Sequence, residues 1–340
     1  MDRHQIVSAS RERTPCPFRA LRGPAAPRRR APKPRESEAA GLLRIRRLLP
    51  ALILVILLAG VYAGAATEAA AKAPLASVVR DVVYGRKAGM ALVYDVLRPV
   101  HPNRAAVLYL VSSVWFSPWE PPEHRARDLS PLLERGFTVV VVYHGSAPRF
   151  QVPDMVADVR RAVRHIRMSA PDYGIDPGRI GAFGTSSGGH LALMLGLASD
   201  PGDPASEDPV LRQSDGVQAV VAYYPPVDLR GRVGPSLRRA ALDFPPERAG
   251  EVSPLVHVSA DDPPTLLVHG EEDHNVPVEN SRRLYAALTE MKVDAKLLVI
   301  AGADHGFGNP EHQSRATAAM LRWFEQHLTP EQVRSDGARP

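Results

Sequence analysis

Cysteine is nearly absent from this chain of 340 residues, in which Cys16 is the single thiol. One cysteine cannot form an intramolecular disulfide, so a disulfide-stabilised scaffold is excluded. Closely spaced metal ligands are also missing, because His269, His274 and His305 form no H-x-x-x-H pair with a carboxylate partner. This spacing argues against a zinc site. No internal repeat is found, and the length is ample for one large core.

An excess of positive charge is confined to the start of the chain. The formal net charge is +5, but residues 1–47 contain 13 Lys or Arg and only 4 Asp or Glu. Residues 48–340 contain 29 basic and 33 acidic residues, which is a net charge of −4. A mildly acidic main body is not typical of nucleic-acid-binding proteins, so no nucleic-acid partner is predicted.

The first 66 residues do not have the pattern of a globular domain. Residues 1–41 are rich in Pro, Arg and Ala and poor in large apolar side chains, which predicts a disordered basic tail. Residues 42–66 are interpreted as a signal peptide or a membrane anchor, because a basic flank precedes 19 residues without charge at 48–66. Nineteen helical residues span about 28 Å, close to the thickness of the hydrocarbon core of a bilayer.

In both interpretations the rest of the chain is exported from the cytoplasm. It is then either anchored in the membrane with an extracytoplasmic domain, or secreted or periplasmic after signal cleavage. The sequence leaves open which of these applies and whether the start site is the true one. The membrane would be a partner through residues 48–66 if that segment is not cleaved. Residues 67–77 are predicted to be a linker, and residues 329–340 a flexible C-terminal tail.

The densest motif is the run from Arg179 to Leu197, which centres on Ser186. Residues 179–183 are apolar, as in a buried strand, and residues 191–197 have helical character, so residues 184–188 must form the turn between them. A serine in such a tight turn is strained, and glycines without Cβ let the strand and the helix pack closely around it. Gly-Thr-Ser-Ser-Gly therefore predicts a nucleophile elbow with Ser186 at its apex, with an ordinary glycine-rich turn as the alternative.

A nucleophilic serine needs a base, and the base needs an orienting acid. Two later strand-like runs, residues 265–268 and 295–300, are followed by Asp273 and His305 respectively. The carboxyl ends of the strands in an open α/β sheet are the edge at which sites form. The sequence therefore predicts Ser186 as the nucleophile, His305 as the general base and Asp273 as its orienting acid. The alternative acids are Glu271, Glu272 and Asp262.

At these residues the sequence resembles the α/β-hydrolase fold. Within it the chain is similar to feruloyl and acetyl-xylan esterase-like serine esterases, which carry Gly-x-Ser-x-Gly-Gly-His-Leu. Residues 172–180, ahead of the elbow, also resemble the corresponding segment of these esterases. The resemblance covers residues 78–328 and implies a mostly parallel eight-stranded sheet flanked by helices, with a small cap insertion possible at residues 228–262. Asp273 matches the family's His-Gly-x-x-Asp-x-x-Val-Pro pattern.

The oxyanion loop is where the sequence departs from this family. Relatives usually carry His-Gly-Gly-Gly after the third strand, whereas this chain has Ser112, Ser113 and Val114. The β-branched Val114 is expected to resist a positive φ. The sequence therefore leaves open whether this loop supports full activity. The N–H groups of Ser187 and Ser113 are the predicted oxyanion donors.

Two tryptophans follow the oxyanion loop. Trp115 and Trp119 are candidates for substrate binding by stacking on a sugar or aryl group, with packing of the loop as the alternative role. Further along, apolar residues from Pro153 to Ile166 recur at helical spacing. Asp158, on an early turn of this helix, is interpreted as a solvated helix-start charge.

These residues together predict a serine hydrolase that cleaves carboxylic esters through an acyl-enzyme, with no metal or organic cofactor. Short-acyl esters and carbohydrate esters both fit, and the acyl and alcohol specificity and the oligomeric state stay open. One alternative is a peptidase similar to prolyl oligopeptidase, which the absence of room for a large additional domain opposes. The other is a catalytically inactive hydrolase fold that serves as a binding module, which rests on the altered oxyanion loop alone.

Overall fold

The computed structural model describes residues 75–236 and 239–329. The predicted basic tail at 1–41, the signal peptide or anchor at 42–66, most of the linker, and residues 330–340 of the predicted C-terminal tail lie outside the described residues and stay predictions. Thr329, the first residue of that predicted tail, is described and is buried. Within the described ranges, no helix combines the length and the apolar character needed to cross a membrane.

Eight strands form one sheet: β1 (Leu75–Lys87), β2 (Met90–Pro99), β3 (Ala106–Val111), β4 (Thr138–Tyr143), β5 (Ile180–Thr185), β6 (Ala219–Tyr223), β7 (Thr265–Gly270) and β8 (Ala295–Ile300). Their order is β1-β2-β4-β3-β5-β6-β7-β8. The β1–β2 and β2–β4 pairs are antiparallel, and all other neighbours are parallel. The mostly parallel eight-stranded sheet is thus confirmed.

The central strands are buried on both faces. Every residue of β4, which reads Thr-Val-Val-Val-Val-Tyr, is buried, as is typical of a parallel strand covered by helices on both sides. The edge strand β1 begins at Leu75, whereas the sequence analysis places residues 75–77 in the linker. These residues pair with the end of β2 but are largely exposed, so they lack the apolar alternation that indicates a strand.

Seven helices flank the sheet in the described part of the chain: α1 (Pro122–Asp128), α2 (Ser130–Glu134), α3 (Val152–Met168), α4 (Ala170–Tyr173), α5 (Ser187–Leu197), α6 (Glu279–Glu290) and α7 (Pro310–Leu328). Apolar residues of α3, α5 and α6 share one core, which includes Met155, Leu191 and Leu284. Those of α1, α2 and α7 share a second core with Phe137. Because the strands between these layers are parallel, the carboxyl ends of β3, β5, β7 and β8 lie at one edge.

Asp158, expected to be a solvated charge, is instead buried. Lys87 Nζ lies 2.7 Å from both of its carboxylate oxygens, and the Gly145 N–H donates to it at 2.9 Å. Burial raises the pKa of Asp158, while these two partners act in the opposite direction. Asp158 joins α3 to β1 and to the loop after β4. Since Lys87 is 71 positions away, no local pattern indicates this contact.

The predicted cap, residues 228–262, contains four short 3-10 helices: Ala240–Leu242, Pro246–Arg248, Gly250–Val252 and Pro254–Val256. Leu229, Phe244 and Val252 are buried in the same core as α3 and α5. These contacts hold the segment against the edge of the sheet at which the predicted site residues lie.

Candidate active site

Ser186 lies at the turn between β5 and α5. Its backbone has φ 52° and ψ −119°, a conformation that residues other than glycine rarely adopt. The Ser186 N–H donates to the Tyr223 carbonyl at 2.9 Å, which holds the turn. Close packing requires two glycines: a Cβ at Gly184 would lie 2.3 Å from the Gly188 backbone, and one at Gly188 would lie 2.5 Å from the Leu110 carbonyl oxygen. The motif therefore forms the strand-to-helix turn that was predicted.

His305 and Asp273 meet at the same edge of the sheet. His305 Nδ1 lies 2.7 Å from Asp273 Oδ2. The other carboxylate oxygen, Oδ1, accepts the N–H groups of Asn275 and Val276 at 2.9 and 2.8 Å, so the carboxylate is fixed in position. Because a carboxylate only accepts, the proton lies on His305 Nδ1, and Nε2 keeps a lone pair that can take up a proton.

The alternative acids have other environments. Glu271 and Glu272 are exposed at the start of the same loop. Asp262 accepts the N–H and the hydroxyl of Ser259, both at 2.9 Å. Among the described residues, Asp273 is thus the acid that contacts His305.

His269, at the end of β7, supports the loop that carries Asp273. It is fully buried, with Nδ1 2.7 Å from the Ser281 hydroxyl oxygen and Nε2 2.7 Å from the Val276 carbonyl oxygen. Nε2 also lies 3.3 Å from Asp273 Oδ2. Burial lowers the pKa of His269, which favours a neutral ring that donates from Nε2. A structural role for this histidine agrees with these contacts.

Tyr224 is a site residue that the sequence analysis did not single out. Its ring centroid lies 4.5 Å from that of His305. The residue follows β6 with φ 38°, and its N–H donates to the Val268 carbonyl at 2.8 Å. Burial raises the pKa of Tyr224 to about 12, so its hydroxyl stays protonated at neutral pH. The Tyr-Pro-Pro run at the end of β6 is the sequence signal that could have indicated it.

Two predictions about the oxyanion loop are wrong. Val114, expected to resist a positive φ, has φ 50°, and Trp115 follows with φ 57°. The Ser113 N–H, predicted to be an oxyanion donor, donates instead to the Phe116 carbonyl at 2.7 Å. It is therefore occupied within the loop. The Val114 N–H has no acceptor in the part of the chain that the structure describes, and Val114 lines the same cavity as Ser186.

Side chains of α5 hold this loop. Ser187 Oγ accepts the Trp115 N–H at 3.0 Å and lies 3.0 Å from Ser112 Oγ. The Trp115 indole nitrogen lies 3.4 Å from His190 Nδ1, and His190 Nε2 lies 2.8 Å from the Val252 carbonyl oxygen of the cap. Burial lowers the pKa of His190 to about 4, so the neutral ring accepts at Nδ1 and donates from Nε2. The elbow helix, the oxyanion loop and the cap are thus joined at His190.

Ser186 and His305 line one cavity of about 550 Å³. No hydrogen bond joins their side chains among the described residues, and this contact is often long in hydrolases without substrate. Of the two tryptophans predicted to bind substrate, Trp115 lines the cavity, whereas Trp119 is 59% exposed and does not. The remaining lining residues are Ser112, Ser113, Val114, Thr185, Ser187, Tyr224, Pro226, Leu229, Arg232, Arg239, Leu242, Asn275 and Val276.

Comparison with known proteins assigns the family. The sequence profile of the BD-FAE family matches residues 99–288, which is more than half of the chain. The chain belongs to the BD-FAE family. A second profile, described as TAP-like protein, matches residues 243–335, a range that includes Asp273 and His305.

Solved structures resemble this BD-FAE protein over most of the described chain. A truncated carbohydrate esterase from gut microbiota gives a TM-score of 0.63 at 26% identity, covering 75% of this chain and 98% of that one. Esterase 2 of Thermogutta terrifontis, phosphoramylated by tabun, gives a TM-score of 0.62 at 25% identity, covering 76% and 98%. The α/β-hydrolase fold implied by the sequence is confirmed.

Among curated sequences, this BD-FAE protein is similar to LipM of Mycobacterium tuberculosis, a probable carboxylic ester hydrolase. The two are 32% identical over 165 residues, which cover 45% of this chain and 38% of LipM. The chain therefore spans less than half the length of this relative.

Proposed function

We propose that this BD-FAE protein is a serine hydrolase that cleaves carboxylic esters. The observation that carries the proposal is the 2.7 Å contact between His305 and Asp273 at a cavity that Ser186 also lines. A nucleophile, a base with an orienting acid, and a concave site are the parts that acyl transfer needs. Relatives described as esterases support the same activity.

In the proposed reaction, Ser186 Oγ attacks the ester carbonyl carbon while its proton passes to His305 Nε2. Asp273 holds the imidazole and stabilises the imidazolium that forms. His305 then gives the proton to the alcohol oxygen as the C–O bond breaks, which leaves an acyl group on Ser186. A water molecule, deprotonated by His305, attacks this acyl-enzyme, releases the acid and restores the serine.

The N–H groups of Ser187 and Val114 are the proposed oxyanion donors. Ser187 is the first residue of α5, where N–H groups lack a partner within the helix and the helix dipole favours negative charge. Val114 replaces the predicted Ser113, whose N–H is bonded to Phe116. Each donor of this kind stabilises the transition state by about 3 kcal/mol.

The cavity has room for an ester substrate of small-molecule size. Its volume of about 550 Å³ exceeds what an acetyl group fills, and cavities of this size typically hold small-molecule ligands. Pro226, Leu229, Leu242 and Val276 offer apolar surface. The similarity to a gut carbohydrate esterase supports a carbohydrate ester as the substrate class.

Covalent labelling of the full-length chain tests the proposal. We expect a fluorophosphonate to form an adduct on Ser186, located by mass spectrometry, because an activated serine attacks phosphorus as it attacks a carbonyl. Ser186→Ala should abolish the adduct. His305→Ala should slow both labelling and hydrolysis of 4-nitrophenyl acetate by about 10³-fold or more. His274→Ala is the matched control, since His274 is an exposed histidine of the Asp273 loop.

Two outcomes would contradict the proposal. A folded chain that gives no adduct would support an inactive binding module instead. Faster cleavage of peptide amides than of matched esters would support a peptidase similar to prolyl oligopeptidase.

A further inference from the structure

The active-site cavity carries positive charge without a matching carboxylate. Arg232 and Arg239 line it together with Ser186 and His305, and none of the lining residues within the described chain is Asp or Glu. By contrast, residues 48–340 as a whole have a net charge of −4. A cavity whose charge is opposite to that of the surrounding protein attracts ligands of the complementary sign.

Two other arginines of the cap segment, Arg230 and Arg248, and Arg283 of α6 each have a carboxylate partner. Arg230 donates twice to Asp228, from Nε and Nη2, each at 2.9 Å. Arg283 donates to the same carboxylate at 2.9 Å, and Arg248 pairs with Glu251 at 3.1 Å. The hydrogen bond from Arg230 holds the pKa of Asp228 well below its usual range. The charge of Asp228 is therefore already matched by two arginines.

Arg232 and Arg239 differ from these neighbours. Neither has a carboxylate within 4.0 Å among residues 75–236 and 239–329, and both side chains are exposed at the cavity. The catalytic carboxylate, Asp273, is only 5% exposed and is bonded to His305. Each guanidinium thus keeps its donors for a ligand. Arginine stays charged at all accessible pH values and binds carboxylates and phosphates with paired N–H groups.

We propose that Arg232 and Arg239 bind an anionic group, a carboxylate or a phosphate, on the ester that enters the cavity. This inference rests on the proposed esterase function and names its substrate class, an ester whose acyl or alcohol part carries negative charge, such as an acylated acidic sugar. Leu229 and Leu242 line the cavity beside the two arginines and contact the uncharged part of the substrate.

Binding to the inactive Ser186→Ala chain tests this preference without turnover. Calorimetry on the full-length protein compares three acetate esters that share one ring: 4-acetoxybenzoate, 4-acetoxyphenyl phosphate and the neutral 4-acetoxybenzamide. We expect one or both anionic esters to bind with a Kd at least about tenfold below that of the amide. The tighter of the two identifies the anion. Equal affinity for all three esters overturns the inference.

Substitutions in the same Ser186→Ala background locate the charge. Arg232→Gln and Arg239→Gln should each reduce a tenfold anionic preference by about threefold if the two contribute equally, and the double variant should remove it. Arg230→Gln is the matched control, because Arg230 lies on the same segment but is paired with Asp228. An unchanged preference in the double variant, or an equal loss in Arg230→Gln, overturns the assignment. Thermal melts check that each variant is folded.

Turnover by the wild-type chain separates this inference from the proposed function. Ser186 labelling together with equal hydrolysis of the charged and neutral acetates overturns the charge preference alone. If neither labelling nor hydrolysis occurs, the proposed function fails. The calorimetric comparison still decides whether the cavity prefers an anion in that case.

Discussion

Two turns at the same edge of the sheet hold residues at positive φ by different means. In the elbow, Ser186 has φ 52°, and Gly184 and Gly188 let β5 and α5 approach closely. In the oxyanion loop and directly after it, Val114 and Trp115 have φ 50° and 57° with no glycine beside them. A left-handed conformation costs a residue other than glycine about 1–2 kcal/mol. The elbow is therefore encoded by adjacent residues, whereas the oxyanion loop depends on contacts from elsewhere.

Those contacts come from α5. Ser187 Oγ binds the Trp115 N–H, and His190 contacts the Trp115 indole, across 72 and 75 positions of sequence. His190 also binds the Val252 carbonyl. A strained turn can thus persist without glycine when a rigid neighbouring helix holds it. We therefore expect the two turns to respond differently to substitution.

Breaking the elbow is expected to have the largest effect. Gly184→Ala places a Cβ 2.3 Å from the Gly188 backbone, so β5 and α5 must separate. We expect the free energy of unfolding to fall by about 3 kcal/mol, and kcat/KM for 4-nitrophenyl acetate to fall by about 10²-fold or more. Denaturant titration and steady-state kinetics measure these changes. The control is Gly250→Ala, where a Cβ meets nothing within 4 Å; equal behaviour of the two variants would contradict the packing argument.

Acid should weaken the support of the oxyanion loop. Burial lowers the pKa of His190 from 6.5 to about 4. The unfolded chain therefore binds a proton below about pH 6.5 that the folded chain does not bind until about pH 4. The free energy of unfolding should fall across this window, by about 3 kcal/mol at its lower end. Burial lowers the pKa of His144 to about 4 as well, so this group adds to the effect.

Urea titrations from pH 7 to pH 4 measure this loss of stability. His190→Gln keeps an N–H donor for Val252 but cannot take up a proton. The slope of its free energy of unfolding against pH should therefore be smaller than that of the wild type, by the equivalent of up to one bound proton. Identical pH dependence in the wild type and His190→Gln would show that His190 does not contribute.

Removing one anchor of the oxyanion loop should have a smaller effect. Ser187→Ala keeps the residue 187 N–H but deprives the buried Trp115 N–H of its acceptor, at a cost of about 2 kcal/mol. We expect kcat to fall about tenfold with a smaller change in KM, because the displaced loop misplaces an oxyanion donor whose hydrogen bond strengthens in the transition state. Ser206→Ala, at a half-buried serine outside the cavity, is the control. An unchanged kcat would mean that the Trp115 N–H contact does not position the loop.

Relieving the strain at Val114 is expected to have the smallest effect. Val114→Gly relieves the left-handed strain of a side chain that is 59% exposed. We expect a gain of about 1 kcal/mol in the free energy of unfolding, partly offset by the entropy of glycine in the unfolded chain. Val256→Gly, at an exposed valine of a 3-10 helix, should instead be destabilising. Equal destabilisation by both substitutions would show that Val114 is not strained.

The positions of the three predicted site residues could be predicted because the sequence patterns that indicate them are local. Ser186, Asp273 and His305 each follow an apolar strand-like run, and parallel strands bring their carboxyl ends to one edge. The choice of Asp273 over Glu271 came from the family pattern, and Asp273 is the acid that contacts His305. The catalytic roles of these residues stay predictions until the labelling experiment.

Other parts could not be predicted because they depend on distant residues. No local sequence pattern indicates that Asp158 is buried and paired with Lys87, or that the Ser113 N–H donates to Phe116. The contact between the rings of Tyr224 and His305 has no such pattern either. The exposure of Trp119, in contrast to Trp115, depends on how its loop packs.

Local sequence patterns were enough to locate most strands, the elbow and the three site residues along the chain, because apolar periodicity and glycine spacing act between near neighbours. Folding is needed to show which N–H groups of the oxyanion loop are available and which cap arginines line the cavity without a carboxylate partner among the described residues. The physical reason is that hydrogen-bond acceptors and ion-pair partners are supplied by segments far apart in the chain, and only the packed sheet and helices bring them within reach.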